Sequence, residues 1–98
     1  MFAYECMIIN KLCSDVEYND LLNKLTNFLT ENGGNVKKVN KWGKKRLAYP
    51  LQEQTEGLYT LLVFKAIPKA VMAFDKMIKA DKNILSSMII RNDKAYNF

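Results

Sequence analysis

The residues whose types and spacing point most directly to a binding chemistry lie in the stretch KKVNKWGKKRLAYP, residues 37–50. Six of the 15 basic residues of the chain fall within ten positions: Lys37, Lys38, Lys41, Lys44, Lys45 and Arg46. We call residues 37–46 the basic segment. It contains no acidic residue, whereas the other 88 positions carry nine basic and ten acidic side chains and sum to −1. A block of cations of this kind attracts a polyanion such as a nucleic-acid backbone.

Aromatic residues accompany these cations. Trp42 and Tyr49 offer flat surfaces for bases, and Arg46 offers a guanidinium fork for phosphates. We therefore expect Lys37, Lys41, Lys44, Lys45 and Arg46 to neutralise phosphates. RNA is favoured over DNA because no helix has the basic face of a major-groove reader. Two alternatives stay open: the cations form a solvated strand edge that discourages pairing, and the aromatic side chains close the core.

Catalysis finds no support among the residue types. The chain has no histidine, no glycine-rich phosphate loop and no serine or cysteine with an activating neighbour. Glu5 is the one acid in an apolar strand, and a role in fixing strand register explains it more simply than a catalytic one. Cys6 and Cys13 alone do not supply the four ligands of a structural zinc site, so we expect reduced thiols. The sequence predicts no enzyme, no cofactor, no metal and no small-molecule substrate.

The length of the chain and the distribution of its apolar residues indicate how many domains it has and where in the cell it lies. A chain of 98 residues buries one core, so we expect a single domain over residues 1–98 with a loosely ordered tail at 92–98. No apolar run approaches the roughly 18 residues of a membrane span, and the N-terminus lacks the layout of a secretory signal. We therefore expect a cytoplasmic protein without a membrane partner.

Hydrophobic periodicity divides the chain into four extended segments and two helices. In chain order they are a strand at 2–9, a helix between Ser14 and Asn32, an extended segment at 36–51, a turn at 52–57, a strand at 58–65, a helix from Pro68 to Asp81 and a strand at 84–91. Ser14 and Glu17 have the spacing of a capping box, and Gly33-Gly34 tolerate the positive φ of a helix end. The βαββαβ order predicts an α+β, ferredoxin-like domain: a four-stranded antiparallel sheet with both helices on one face.

Helices on one face leave the other face of the sheet open. The strand at 58–65 is apolar on both faces, whereas a water-facing sheet alternates apolar and polar residues more strictly. An open apolar surface usually marks an interface, so we expect a protein partner at Tyr59, Leu61 and Val63, helped by the tail residues Tyr96 and Phe98. The alternative is that loops, the tail or long side chains cover this face.

Several motifs together resemble one known family. They are KWGKKRLAYPL at 41–51, GLYTLLVF at 57–64, YE at 4–5 and MIIR at 88–91, in order and at matching spacing over nearly the whole chain. The chain is similar to the family of the sixth protein of the bacterial small ribosomal subunit. The resemblance implies a non-enzymatic protein that binds small-subunit ribosomal RNA and pairs with the eighteenth small-subunit protein. The family's functional positions that carry over are Tyr4, Arg91 and the motif residues Lys45, Arg46, Leu47, Ala48, Tyr49 and Pro50. Of these, we expect RNA contacts from Tyr4, Lys45, Arg46, Tyr49 and Arg91.

Two positions depart from the family's pattern. Members commonly carry an arginine at the positions of Phe2 and Ser86-Ser87, so this chain lacks two potential phosphate contacts. It is expected to depend more on its basic segment or on its partner.

Two other functions compete with the ribosomal one. A small-molecule-sensing or self-associating regulatory domain of the same fold predicts a stable homodimer with a polar pocket between subunits and no RNA affinity. An RNA-binding module outside the ribosome predicts RNA affinity without ribosomal association.

Overall fold

Four strands and two α-helices follow one another in the predicted order in a computed structural model that describes residues 1–96. They are β1 (Phe2–Asn10), α1 (Asp15–Glu31), β2 (Asn35–Leu51), β3 (Gln54–Ala66), α2 (Pro68–Ala80) and β4 (Ile84–Arg91), followed by a short 3-10 helix (Asp93–Tyr96). Neither α-helix of these residues has the length and apolar composition of a membrane-spanning helix.

The ends of α1 follow the predicted signals. The Ser14 hydroxyl accepts a hydrogen bond from the Glu17 backbone N–H at 3.2 Å and donates one to Glu17 Oε1 at 3.0 Å. At the other end Asn32 Nδ2 donates to the carbonyl of Phe28 at 2.8 Å, and Gly33 follows with a φ of +81°. The side chains therefore satisfy groups that a helix end leaves without intrahelical partners, which fixes where α1 starts and stops.

The four strands form one antiparallel sheet in the order β2-β3-β1-β4. Both helices cover the same face, which we call the helix face; the other is the open face. The core contains Cys6, Ile8, Leu25, Leu29, Leu62, Phe64, Ala66, Ala70, Phe74, Ile78 and Ile84. Phe64 of β3 meets Phe74 of α2 edge-to-face with ring centroids 5.6 Å apart. This arrangement confirms the predicted ferredoxin-like fold.

The connection between β2 and β3 is shorter than predicted. Residues 52–57 were expected to form a turn, but Leu51 pairs with Gln54, so only Gln52 and Glu53 turn. Their φ values of 47° and 65° are those of a hairpin turn in which both central residues are left-handed. The prediction failed because Gln54, Thr55, Glu56 and Gly57 include no large apolar side chain, so no apolar alternation marks this part of the hairpin as strand.

The start of the predicted tail contacts β1. The Asn92 N–H donates to the carbonyl of Ala3 at 2.9 Å, and the Ala3 N–H donates to Asp93 Oδ1 at 3.0 Å. Asn92 Nδ2 also donates to Glu5 Oε1 at 3.2 Å, which gives this carboxylate a partner. The looseness of residues 92–98 stays a prediction, but residues 92 and 93 have defined hydrogen bonds.

Candidate nucleic-acid interface

The basic segment lies on β2, an edge strand of the sheet. Within this strand, all of whose residues are described, Leu47 is the only buried residue. An edge strand pairs on one side only and leaves its other side to solvent, so its long cationic side chains remain hydrated. The strand therefore presents its cations rather than burying them.

Two bulges distribute the basic segment over both faces of the sheet. The pairing with β3 shifts by one residue at Lys37 and again at Trp42, so these two residues are extra in β2. Opposite residues in an antiparallel pair point to the same face. Lys41, Lys44 and Arg46 lie opposite Thr60, Leu58 and Glu56 and belong to the helix face, whereas Lys38 and Lys45 lie opposite Val63 and Gly57 and belong to the open face.

Lys41 is held by α1. Its ammonium donates to Asn19 Oδ1 at 2.8 Å and lies 5.2 Å from the centroid of the Tyr18 ring. The Tyr18 hydroxyl is in turn hydrogen bonded to the buried hydroxyl of Thr60, directly across from Lys41. Lys41, predicted to bind phosphate, thus links β2 to α1 in this structure.

The remaining cations differ in their partners. Lys44 Nζ is 3.9 Å from Glu56 Oε2, and both side chains are well exposed, so this ion pair is weak. Among the described residues, Lys38, Lys45 and Arg46 form no ion pair. These three carry the positive charge with the least internal compensation.

Trp42 lies on the surface of the bulge. Its side chain is 46% exposed, and the Lys45 ammonium is 5.9 Å from its ring centroid. The next residue, Gly43, has a φ of +88° and lies opposite Tyr59 on the open face. Trp42 does not close the core, and its exposure leaves it able to contact a base.

The end of the hairpin is tied to the sheet by one side chain. Leu47 is 8% exposed and packs over Gly57: a Cβ at Gly57 would lie 3.7 Å from Leu47 Cδ2 and 2.7 Å from Ile9 Cγ2. Because Leu47-Ala48-Tyr49-Pro50 is the apolar end of the motif, the sequence predicts that these four residues return to the core, but Ala48, Tyr49 and Pro50 are exposed, Tyr49 by 69%. The pairing explains the difference, because β2 has three more residues than β3 between Arg46 and Leu51, and the extra residues bulge outwards.

Tyr4 and Arg91 lie away from the basic segment. Tyr4 of β1 stacks on Phe64 with centroids 5.7 Å apart and packs against the core. Arg91 of β4 lies 3.5 Å from the centroid of the Phe2 ring and 3.1 Å from Asp93 Oδ2. The structure therefore does not bring these two predicted RNA contacts together with β2.

Asp93 accepts hydrogen bonds both from Arg91 and from the backbone of β1. The hydrogen bond from the Ala3 N–H, followed by that from Arg91, holds the pKa of Asp93 below its ordinary value of 3.8. Phe2, which departs from the family's pattern, is the flat surface beneath the Arg91 guanidinium.

The open face is largely apolar, as predicted. Tyr59 and Leu61 are half-buried, whereas Val63 is only 3% exposed, so it offers little surface to a partner. Phe98 and the side chain of Tyr96 lie outside the described residues. Sequence reasoning missed Met88 and Ile90 of β4, which are exposed on the same face. The unbroken apolar run Met88-Ile89-Ile90 was the available signal, because successive residues of a strand point to opposite faces.

No group of metal-ligating side chains occurs among residues 1–96. Burial, with a smaller contribution from Asp75, raises the pKa of the Cys6 thiol to about 12. Burial and the carboxylates of Glu17 and Asp15 raise the pKa of Cys13 as well. Both thiols are protonated at neutral pH, which makes them poor nucleophiles.

Comparisons with known proteins agree on one family. The model of the family described as ribosomal protein S6 matches residues 3–91. The small ribosomal subunit protein bS6 of Desulforamulus reducens is 39% identical over 92 residues, which cover 93% of this chain and 97% of the relative. That of Caldanaerobacter subterraneus is 31% identical over 94 residues, covering 95% and 99%.

A solved structure agrees in fold. The crystal structure of 30S ribosomal protein S6 from Thermotoga maritima superposes with a TM-score of 0.88 at 21% sequence identity, covering 96% of this chain and 90% of that one. The resemblance seen in the sequence is confirmed, and the chain belongs to the ribosomal protein S6 family, the non-enzymatic proteins of the small ribosomal subunit.

Proposed function

We propose that the chain binds small-subunit ribosomal RNA through β2 and binds the eighteenth small-subunit protein through the open face of its sheet. The observation that carries the RNA contact is the set of three cations on β2 without an ion pair among the described residues: Lys38, Lys45 and Arg46. Exposed Trp42 and Tyr49 flank them. Cations without an ion pair can neutralise phosphates without first giving up a carboxylate, and aromatic side chains stack on unpaired bases.

The partners of each cation rank the candidate RNA contacts, and they add Lys38, which was not among the residues that the sequence led us to expect at phosphates. Lys38, Lys45 and Arg46 are expected to contribute most to affinity. Lys44 shares its charge with Glu56, and Lys41 must give up Asn19 before it reaches a phosphate. Tyr4 and Arg91 are expected to stabilise the fold rather than to contact RNA, since Tyr4 packs against the core and Arg91 is paired with Asp93.

The RNA contact is tested by the salt dependence of binding. Replacing Lys38, Lys45 and Arg46 together with alanine should reduce the slope of log K against log salt by about 2–3, since each phosphate contact contributes about 0.7–0.9. The matched control replaces three exposed lysines of α2 and the turn after it, Lys69, Lys76 and Lys82, and removes the same charge. Both are measured on a small-subunit RNA fragment with the partner protein present. If both triple variants keep the wild-type affinity and slope, β2 is not the RNA-binding surface.

The partner contact is tested on the open face. Leu61→Asp introduces a charge among the apolar side chains of that face and should weaken binding of the eighteenth protein at least tenfold. Val16→Asp makes the same change on the exposed side of α1 and should leave binding unchanged. Equal binding by the two variants would place the partner elsewhere.

A further inference from the structure

On the helix face, β2 and α1 enclose a groove that the cations of the proposed RNA contact do not occupy. We call it the α1–β2 groove. Its volume is about 400 Å³ at most, printed as 370 Å³, and its lining is Asn19, Leu22, Asn23, Thr26, Val39 and Lys41. Leu22, which is buried, and Val39, which is 40% exposed, form the apolar part of this lining. The other four side chains offer amides, a hydroxyl and an ammonium group. Apolar surface edged by a few polar groups is typical of a site for a flat ligand.

The charge of the lining favours an anionic ligand. A second cavity shares Asn19 and Lys41 with the α1–β2 groove, but Asp15 also lines that cavity. Among the described residues, no carboxylate lines the groove itself. The Lys41 ammonium is held there by its hydrogen bond of 2.8 Å to Asn19 Oδ1. A polyanion is therefore attracted to the groove rather than to the cavity beside Asp15.

Asn23 is the lining residue whose polar groups the fold leaves unused. Its side-chain amide forms no hydrogen bond within residues 1–96, whereas Asn19 Oδ1 already accepts from Lys41. Asn23 thus keeps both a donor and an acceptor. Asparagine is a poor helix former, so the stability of α1 does not favour it at this position. A donor and an acceptor on one amide match N7 and the N6 amino group of adenine.

We propose that one unpaired adenine of the bound RNA lies in the α1–β2 groove, with its ring against Val39 and its edge on the Asn23 amide. Adenine N6 donates to Asn23 Oδ1, and N7 accepts from Asn23 Nδ2. Lys41 keeps its bond to Asn19 and supplies positive charge beside the base. The inference rests on the proposed RNA contact, because the cations of β2 hold the backbone from which the base is turned out.

The groove fits a base better than a segment of protein. A docked helix or strand needs several apolar anchor sites, and Val39 is the one exposed apolar side chain among the lining residues. The basic segment lies on the same strand as Val39 and Lys41, so an RNA backbone that follows β2 passes beside the groove. A free adenine nucleotide lacks those backbone contacts and should bind far more weakly than the RNA.

Two matched variants test the proposal, with a small-subunit RNA fragment and the partner protein present. Asn23→Ala should lower the affinity for RNA about fivefold or more but leave the slope of log K against log salt unchanged, since an amide releases no counterion. Asn27→Ala removes the same group one turn further along α1, outside the groove, and should bind like the wild type. Both variants should fold, because alanine is the better helix former at each position.

A coupling experiment identifies the base. Each unpaired adenosine of the fragment is replaced in turn by 7-deazaadenosine, which lacks the N7 acceptor. At one position this replacement should weaken binding of the wild type about threefold or more and have no further effect on the Asn23→Ala chain. Equal affinities of the wild-type and Asn23→Ala chains, or a loss in Asn23→Ala that is coupled to no adenosine, overturns the proposal. Failure of the β2 contact is a different result, since it would leave the salt slope unchanged in the variant without Lys38, Lys45 and Arg46.

Discussion

The attachment of the hairpin end through Leu47 gives a quantitative prediction. Leu47→Ala removes the one buried side chain of β2 and leaves a space above Gly57. Deleting buried methyl groups of a leucine costs about 2–5 kcal/mol, and the lower part of that range applies because Leu47 lies at the margin of the sheet. We expect a loss of about 2–3 kcal/mol, which for a chain of this size lowers the melting temperature by about 10–20 °C.

The assay is urea denaturation followed by circular dichroism, analysed as a two-state transition. Val39→Ala is the matched control, because Val39 lies on the same strand but is 40% exposed, and it should change stability by about 0.5 kcal/mol. Hydrogen exchange should also accelerate at residues 54–57 in the Leu47 variant, since the hairpin end loses its anchor. A Leu47→Ala chain as stable as the Val39→Ala chain would show that Leu47 does not hold the hairpin to the sheet.

Three further outcomes follow from single sites. Gly57→Ala should destabilise the chain by about 1–3 kcal/mol in the same denaturation assay, since its Cβ would lie 2.7 Å from Ile9 Cγ2. The pKa of Asp93 is lowered in the folded chain, so its contribution is present above the ordinary value of 3.8 and is lost as the pH falls through the lower folded value. In the Asp93→Asn variant the melting temperature should therefore fall less steeply as the pH is lowered below about 4. A fall as steep as that of the wild type would contradict this. Glu17→Gln should lower the pKa of Cys13 and speed its alkylation by iodoacetamide, measured by mass spectrometry, because Glu17 is one cause of the raised pKa.

The sequence predicted the elements whose signals are local. Ser14 and Glu17 marked the start of α1, and short apolar runs rich in aromatic and branched side chains marked β1 and β3, which supply side chains to the core. From these the fold class followed, and the family motif predicted ribosomal membership.

The details of β2 could not be predicted. A bulge at Lys37 or Trp42 changes which face each later cation takes, yet a strand that is polar on both faces shows no break in pattern when a residue is added. The same absence of pattern hid the strand at residues 54–57. Contacts between distant residues, such as Lys41 with Asn19 or Arg91 with Phe2, depend on register and were also beyond reach.

The central position of β1 bears on the order in which the sheet is completed. Of the four strands, β1 is synthesised first, but both strands that pair with it come later in the chain. Phe2 of β1 pairs with Ala66 of β3, and Tyr4 of β1 pairs with Arg91 of β4. Only the β2–β3 hairpin joins strands adjacent in the chain and can form alone. We expect β1 to lack part of its strand pairing in the nascent chain, with its apolar side chains accessible to chaperones, until residues 84–91 have left the exit tunnel.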